Sequence, residues 1–299
     1  MNQLVLLSVC FAIGLFWRRL SNQGPPATPV LNFLIINVAL PALTVLYGRK
    51  IAVDWSLLVP ISMAWIFFFI GYVFFRSVGA WLRWPPPLIG ALMLTGGLGN
   101  TSFVGLPMIE AFFGKESLWV GMVADQAGSF FVLSTVGLAV AVHYGAGTIS
   151  VAGMFRKIVL FPPFLSLLAG ISLRDVELPM WLDQTLERLG QMLVPMALMS
   201  VGYGLRLQGL VHHRTTLAIG LAFKLVVAPA LLFILYSLTT PDRGPIFQVT
   251  IFEAAMPPMI TGAIIAQEHG LDERISTLMV GIGIPLSMLT LPLWWLFLR

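Results

Sequence analysis

The chain of 299 residues is 58% hydrophobic and only 10% charged, with a net charge of +4, whereas soluble globular proteins carry about 25% charged residues. A single cysteine, Cys10, permits no internal disulfide, and the four histidines (His143, His212, His213, His269) show no metal-ligand spacing such as HExxH. These figures exclude a soluble enzyme, a nucleic-acid-binding module, a disordered regulator and a disulfide scaffold, and leave an all-α polytopic membrane protein.

Apolar runs set against charged or Pro/Gly-rich breaks predict ten transmembrane helices, at 2–17, 30–48, 56–75, 87–112, 117–142, 156–173, 186–205, 214–237, 246–267 and 276–298. Each is near the ~20 residues that cross a bilayer. No segment alternates as a membrane β-strand would, and helices are the other way to satisfy backbone polar groups in lipid. The first run carries Arg18 and Arg19 after its apolar stretch. A cleavable leader places its charge before that stretch, so a retained first helix is predicted. Val176 to Glu187, with Glu177 and Asp183, is predicted to be the nearest thing to an interfacial linker. Tryptophans near segment ends, among them Trp17, Trp55, Trp81, Trp84, Trp181, Trp294 and Trp295, fit an interfacial belt. With the N-terminus outside, inward loops hold Arg18, Arg19, Arg76, Arg83, Arg156, Lys157, Arg206, Arg214 and Arg274. Outward loops hold Arg49, Lys50, Lys115, Arg174, Arg188, Arg243 and Arg299. This bias predicts an integral membrane protein with both termini outside.

An internal repeat follows. Leu40-Pro41-Ala42-Leu43 in the second segment matches Val194-Pro195-Met196-Ala197-Leu198 in the seventh, the prolines lying 154 residues apart. The fourth segment ends at Phe113-Gly114 and the ninth at His269-Gly270, an offset of 156. Two halves of five spans each, 1–145 and 146–299, must be inverted because five is odd. Gly/Pro-broken segments at matched places in such halves point to a transporter's binding site.

The fourth segment contains Gly96-Gly97-Leu98-Gly99-Asn100-Thr101-Ser102-Phe103-Val104-Gly105-Leu106-Pro107. Four glycines, a polar cluster and a proline suit no continuous helix, and the Pro107 ring clashes with the Phe103 carbonyl. The ninth contains Met256-Pro257-Pro258-Met259-Ile260-Thr261, where two missing donors force an extended stretch. The repeat predicts that the two broken helices cross near the bilayer midplane, bringing half-helix ends together. Half-helix N-termini suit an anionic group, and loose carbonyls a cation. Asn100, Thr101, Ser102, Pro107, Pro257, Pro258 and Thr261 are the candidate substrate-binding residues. The plainer alternative is a kinked helix with Asn100 bonded to a neighbouring helix. Asp125, Lys224 and Glu253 stand amid apolar sequence, where each charge costs about 2.5–3.5 kcal/mol at a helix centre. Asp125 or Glu253 is a candidate proton carrier. Lys224 reads as internal counter-ion or substrate-anion contact, with a fixed structural ion pair as the plainer alternative. Gln126 reads as an interhelical hydrogen-bond group or, with Asn100 and Glu253, as part of an oxygen cage for sodium.

Asn100-Thr101-Ser102-Phe103-Val104-Gly105-Leu106-Pro107 and Ala254-Ala255-Met256-Pro257-Pro258 resemble the signatures of the auxin efflux carrier family, bacterial branch, and the resemblance covers essentially the whole chain. It implies secondary transport of a small organic anion, auxin-like or a dicarboxylate such as malonate. It also implies the fold of bile-acid symporters and sodium/proton antiporters, with a scaffold domain and a mobile crossover domain that interleave both repeats. Polar residues at both crossing points are implied to line the site. Asn100 fits the first, while Thr261 stands where an asparagine is implied at the second. The mechanism expected is elevator-type alternating access, as uniport or coupled to protons, and a homodimer through the scaffold domain is a further expectation. The alternatives are a sodium-coupled symporter of the bile-acid type, an intramembrane enzyme and a non-transporting receptor. An enzyme would need paired aspartates, a nucleophile with its base or a metal triad inside the spans, and the spans supply only one aspartate. No catalytic residue, resident metal or cofactor is therefore expected, the coupling ion being a proton or sodium.

Overall fold

A computed structural model describes residues 2–20, 27–51, 54–146, 150–204, 213–240 and 242–299. Arg206, of the predicted inward set, and His212 lie outside the described residues. Among them the chain is helical, with no strand. Helix α1 is Asn2–Leu20. Among the described residues five helices are long and apolar enough to cross a membrane: α2 (Thr28–Gly48), α3 (Trp55–Trp81), α6 (Lys115–Tyr144), α11 (Arg214–Thr239) and α14 (Glu273–Leu298). Shorter helices complete the chain: α4 (Pro86–Gly96), α5 (Thr101–Phe113), α7 (Val151–Val159), α8 (Pro162–Ser172), α9 (Met180–Gln191), α10 (Leu193–Gly204), α12 (Pro245–Ala254) and α13 (Ile260–Glu268).

Two predicted segments differ from what is observed. The run 156–173 is divided, because Phe161 is extended ahead of Pro162-Pro163, which open α8. The helix of the seventh segment starts at Met180, just after the extended Pro179, and is interrupted at Met192. The stretch read as a linker is therefore largely the polar helix α9, which the apolar count could not register.

Prolines also shape three of the helices. Pro41, Pro107 and Pro229 each follow a π turn that ends two residues earlier: Ile35–Ala39, Thr101–Gly105 and Phe223–Val227. A proline withholds an N–H and its ring pushes on the carbonyl four residues back; a wider turn takes up that displacement. Leu225, four residues before Pro229, has its carbonyl capped by the Trp294 indole N–H at 2.9 Å.

The chain divides into two compact units. One draws on Met1–Asp54, Ser102–Met122 and Ile158–Leu205, the other on Trp55–Thr101, Val123–Lys157 and Arg206–Arg299. In the first, α1 meets α10 backbone to backbone. A Cβ on Gly14 would stand 2.3 Å from the Met199 carbonyl oxygen, and one on Gly202 2.3 Å from that of Phe11. Small residues permit such approach between apolar helices. Ser200 Oγ donates to Asn32 Oδ1 at 2.6 Å, and Arg49 at the end of α2 pairs with Asp183 at 3.3 Å.

In the second unit, α3 stops where Arg83 takes a left-handed φ of 56° and the Trp84 N–H reaches the Gly79 carbonyl at 2.8 Å. This helix stop is usually built on glycine. The extended Pro85 and the first-turn Pro86 then start α4. Gly71 on α3 lies so near the end of α4 that a Cβ there would be 2.9 Å from the Gly97 Cα. Asp272 starts α14 by accepting the Ile275 N–H at 2.9 Å.

Candidate functional site

The fourth and ninth predicted segments are both interrupted. Helix α4 ends at Gly97, whose N–H bonds to the Met93 carbonyl at 3.0 Å, and the chain resumes as α5 from Thr101. Helix α12 ends at Ala254, capped by Ala255, and α13 starts after the extended Met259. Between these stops, two short stretches run antiparallel against each other. Gly99 bridges Pro258, and the Asn100 N–H donates to the Pro257 carbonyl at 2.8 Å. Pro257 and Pro258 have no N–H to give, so their stretch is rich in acceptors. The Gly/Asn stretch supplies the donor.

A buried cation completes that accounting. Lys224, fully buried on the π turn Phe223–Val227, donates from Nζ to the Ala254 carbonyl at 2.9 Å. Ala254 is the last residue of α12, where the helix dipole is negative. The ammonium also lies 4.0 Å from the centre of the Phe67 ring, a cation–π contact. A Cβ added to Gly99 would stand 3.5 Å from it. Among the described residues no carboxylate oxygen lies within ion-pair distance of Lys224. Its direct contacts among the described residues include a carbonyl and an aromatic face.

Glu253 sits one residue before Ala254, fully buried, with neither carboxylate oxygen hydrogen-bonded among the described residues. Asp125 lies on the π turn Ala124–Ser129 of α6 and accepts from Thr101 Oγ1. Gln126 and Ser129 are buried on the same turn. Phe67, Gly99, Thr101, Ser129, Lys224 and Glu253 line a cavity of about 10 Å³, at the lower limit for one water. Such an enclosure makes charge interactions stronger than in water and unpaired groups costlier.

Asn100, Thr101, Asp125, Lys224, Glu253, Pro257 and Pro258 therefore lie at or beside the place where the two interrupted stretches meet. Thr261 is half-buried in the first turn of α13 and does not line the small cavity. Ser102 and Pro107 belong to the first unit. There Pro107 lines a cavity of about 340 Å³ with Glu110, Lys115, Gln191 and Pro195. Phe67 and Trp294 escaped the sequence reading. Phe67 lies within a run of eight consecutive apolar residues, Met63 to Ile70, whose order does not say which ring faces a cation. Trp294 reads as an interfacial belt residue, yet its N–H is spent on a carbonyl. Among the described residues no group of three or more His, Cys, Asp or Glu could hold a metal ion.

The sequence pattern of a family described as membrane transport protein matches residues 1–295. An uncharacterised transporter of Methanothermobacter thermautotrophicus is 27% identical over 96% of this chain and 94% of its own. One from Methanocaldococcus jannaschii is 23% identical over 100% of this chain and 99% of its own. A Rhizobium meliloti protein named as a candidate malonate transporter is 22% identical over 93% of this chain and 89% of its own.

Proposed function

This chain belongs to the membrane transport protein family, the auxin efflux carriers that its two motifs resemble, and on that premise we propose that it is a secondary transporter of a small organic anion. Transport proceeds by elevator-type alternating access, as uniport or coupled to protons. The observation that carries this reading is the meeting of the two interruptions through Asn100 and Pro257.

Two helix N-termini flank that meeting point. Helix α13 opens at Ile260 with no side-chain cap, and α5 opens at Thr101. Both present N–H groups and positive dipole ends suited to a carboxylate. In this reading Asn100, Thr101, Ser102 and Thr261 bind the substrate, Pro257 and Pro258 keep α12 and α13 apart, and Pro107 shapes the half-helix α5. Asp125 or Glu253 carries the proton where flux is coupled, with Lys224 as the standing positive charge and Gln126 as an interhelical hydrogen-bond group. A dicarboxylate would engage both N-termini, and the resemblance to the Rhizobium meliloti protein favours malonate as the first substrate to try.

The architecture in this reading is ten spans in two inverted halves, 1–145 and 146–299, with scaffold and transport domains drawn from both. Its support is that each compact unit takes segments from both halves. We place the protein in a bacterial inner membrane, as a dimer through the scaffold and with both termini outside. An anion leaving a cell with a negative interior gains about 2.3 kcal/mol per charge per 100 mV, so export needs no ion partner.

The test is uptake of radiolabelled malonate into proteoliposomes, with sodium present or absent and with an imposed potential or pH gradient. The expected result is saturable flux that is independent of sodium and responds to potential or to protons. A strict sodium requirement would replace this reading with the bile-acid type of symport. Absence of flux for malonate and for other small mono- and dicarboxylates would remove the substrate class.

A further inference from the structure

A groove of about 440 Å³ runs between α3 and α6 in the second unit, away from the crossing. Its walls include Trp65, Phe69, Tyr72 and Val136, and its far end is closed by His143 and Tyr144. Phe69 is 66% exposed and Trp65 40%, so the groove opens outward from α3. Most of it is apolar. One end is not: Arg76, one turn beyond Tyr72, is exposed and reaches the Tyr144 hydroxyl at 3.4 Å, while the His143 ring stands edge-on to that of Tyr144 at 4.9 Å.

Arg76 has no carboxylate within ion-pair distance among the described residues. At 1.5 Å per residue, Trp65 and Arg76 lie about 16 Å apart along α3, near half of the ~30 Å hydrocarbon core. Trp81, 82% exposed, follows within two turns and suits the headgroup level. An apolar slot one leaflet long, ending at an unpaired guanidinium, complements one kind of molecule. We infer that this groove binds an anionic phospholipid, with an acyl chain along Trp65, Phe69 and Val136 and the phosphate on Arg76. The guanidinium fork can take two phosphate oxygens at once, and the Tyr72 and Tyr144 hydroxyls flank it. Basic pockets between membrane helices hold headgroups in this way.

The experiment is native mass spectrometry of the full-length protein released from nanodiscs of phosphatidylglycerol and phosphatidylcholine, mixed equally and with matched chains. The expected result is retention of phosphatidylglycerol over phosphatidylcholine by about fivefold, the ratio of one basic contact near a membrane surface. Arg76→Gln should abolish the preference, Arg76→Lys should keep part of it, and Val136→Trp should lower retention of both lipids by filling the slot. Phosphatidylglycerol should also raise the thermal midpoint of the natural protein and not that of Arg76→Gln, while inorganic phosphate alone should raise neither. Equal retention of the two lipids by the natural protein would overturn the inference. So would a preference unchanged in Arg76→Gln, stabilisation by free phosphate alone, or a dimer that Val136→Trp dissociates while lipid retention stays constant.

Discussion

The two interruptions do the same job with opposite chemistry. At Gly97–Asn100 the helix stops because glycines leave it free to stop, and every residue there keeps its N–H. At Ala255–Met259 it stops because Pro257 and Pro258 cannot continue it, and two N–H groups are missing. One stretch is therefore supplied with donors and the other with acceptors, and they pair through Asn100 and Pro257. Glycine also has a packing use at the first break, where α3 comes within a Cβ's reach at Gly71 and the Lys224 ammonium approaches Gly99. The second break has carbonyls to spare, and Lys224 takes that of Ala254. Breaking two spans in different ways lets each satisfy the other where water is scarce.

The largest test of that complementarity is Lys224→Ala, which strips the Ala254 carbonyl of its donor and Glu253 of its nearby positive charge. Leaving a buried carbonyl without its donor costs about 1–3 kcal/mol, and the cavity left by a fully buried long side chain adds to it, so a large fall in thermal midpoint and loss of malonate flux are expected. Lys224→Met with Glu253→Gln should recover part of the stability without the flux, a coupling that a double-mutant cycle reads directly. Gly71→Val comes next. Its Cβ would press on the Gly97 backbone, which cannot rotate away, and overpacking of this kind costs about 1–3 kcal/mol, read by the thermal midpoint. Trp294→Phe leaves the Leu225 carbonyl beside the Lys224 turn without its donor, for about 1–2 kcal/mol. It should lower flux more than a belt tryptophan such as Trp55 changed to Phe. The smallest effect is a gain: Arg83→Gly, far from both breaks, relieves a left-handed residue and should stabilise by about 1 kcal/mol.

Much of this was legible in the sequence where the local chemistry is stark. Four glycines among twelve residues, and a Pro-Pro pair inside an apolar run, mark where two helices must stop. The pairing of Thr101 with Asp125 could not be read, because a hydroxyl and a carboxylate 24 residues apart carry no signal of which neighbours they meet. Lys224 stood out as a charge in lipid, but its acceptor is a main-chain carbonyl, and carbonyls have no sequence signature. The start of α9 was missed for a different reason. Its charged residues read as loop when apolar run length is the only ruler, although a helix lying at a membrane surface needs just one apolar face.

The most direct measurement is a cross-link between the two breaks. A Cβ on Gly99 would stand 3.7 Å from that of Met256, inside the ~3.5–4.5 Å that a disulfide spans. In a chain carrying Cys10→Ser, Gly99→Cys and Met256→Cys, mild oxidation followed by peptide mass spectrometry should yield the linked pair in nearly every molecule. Two thiols that stay free and alkylatable under the same oxidation, in protein that remains folded, would mean that the broken helices do not meet.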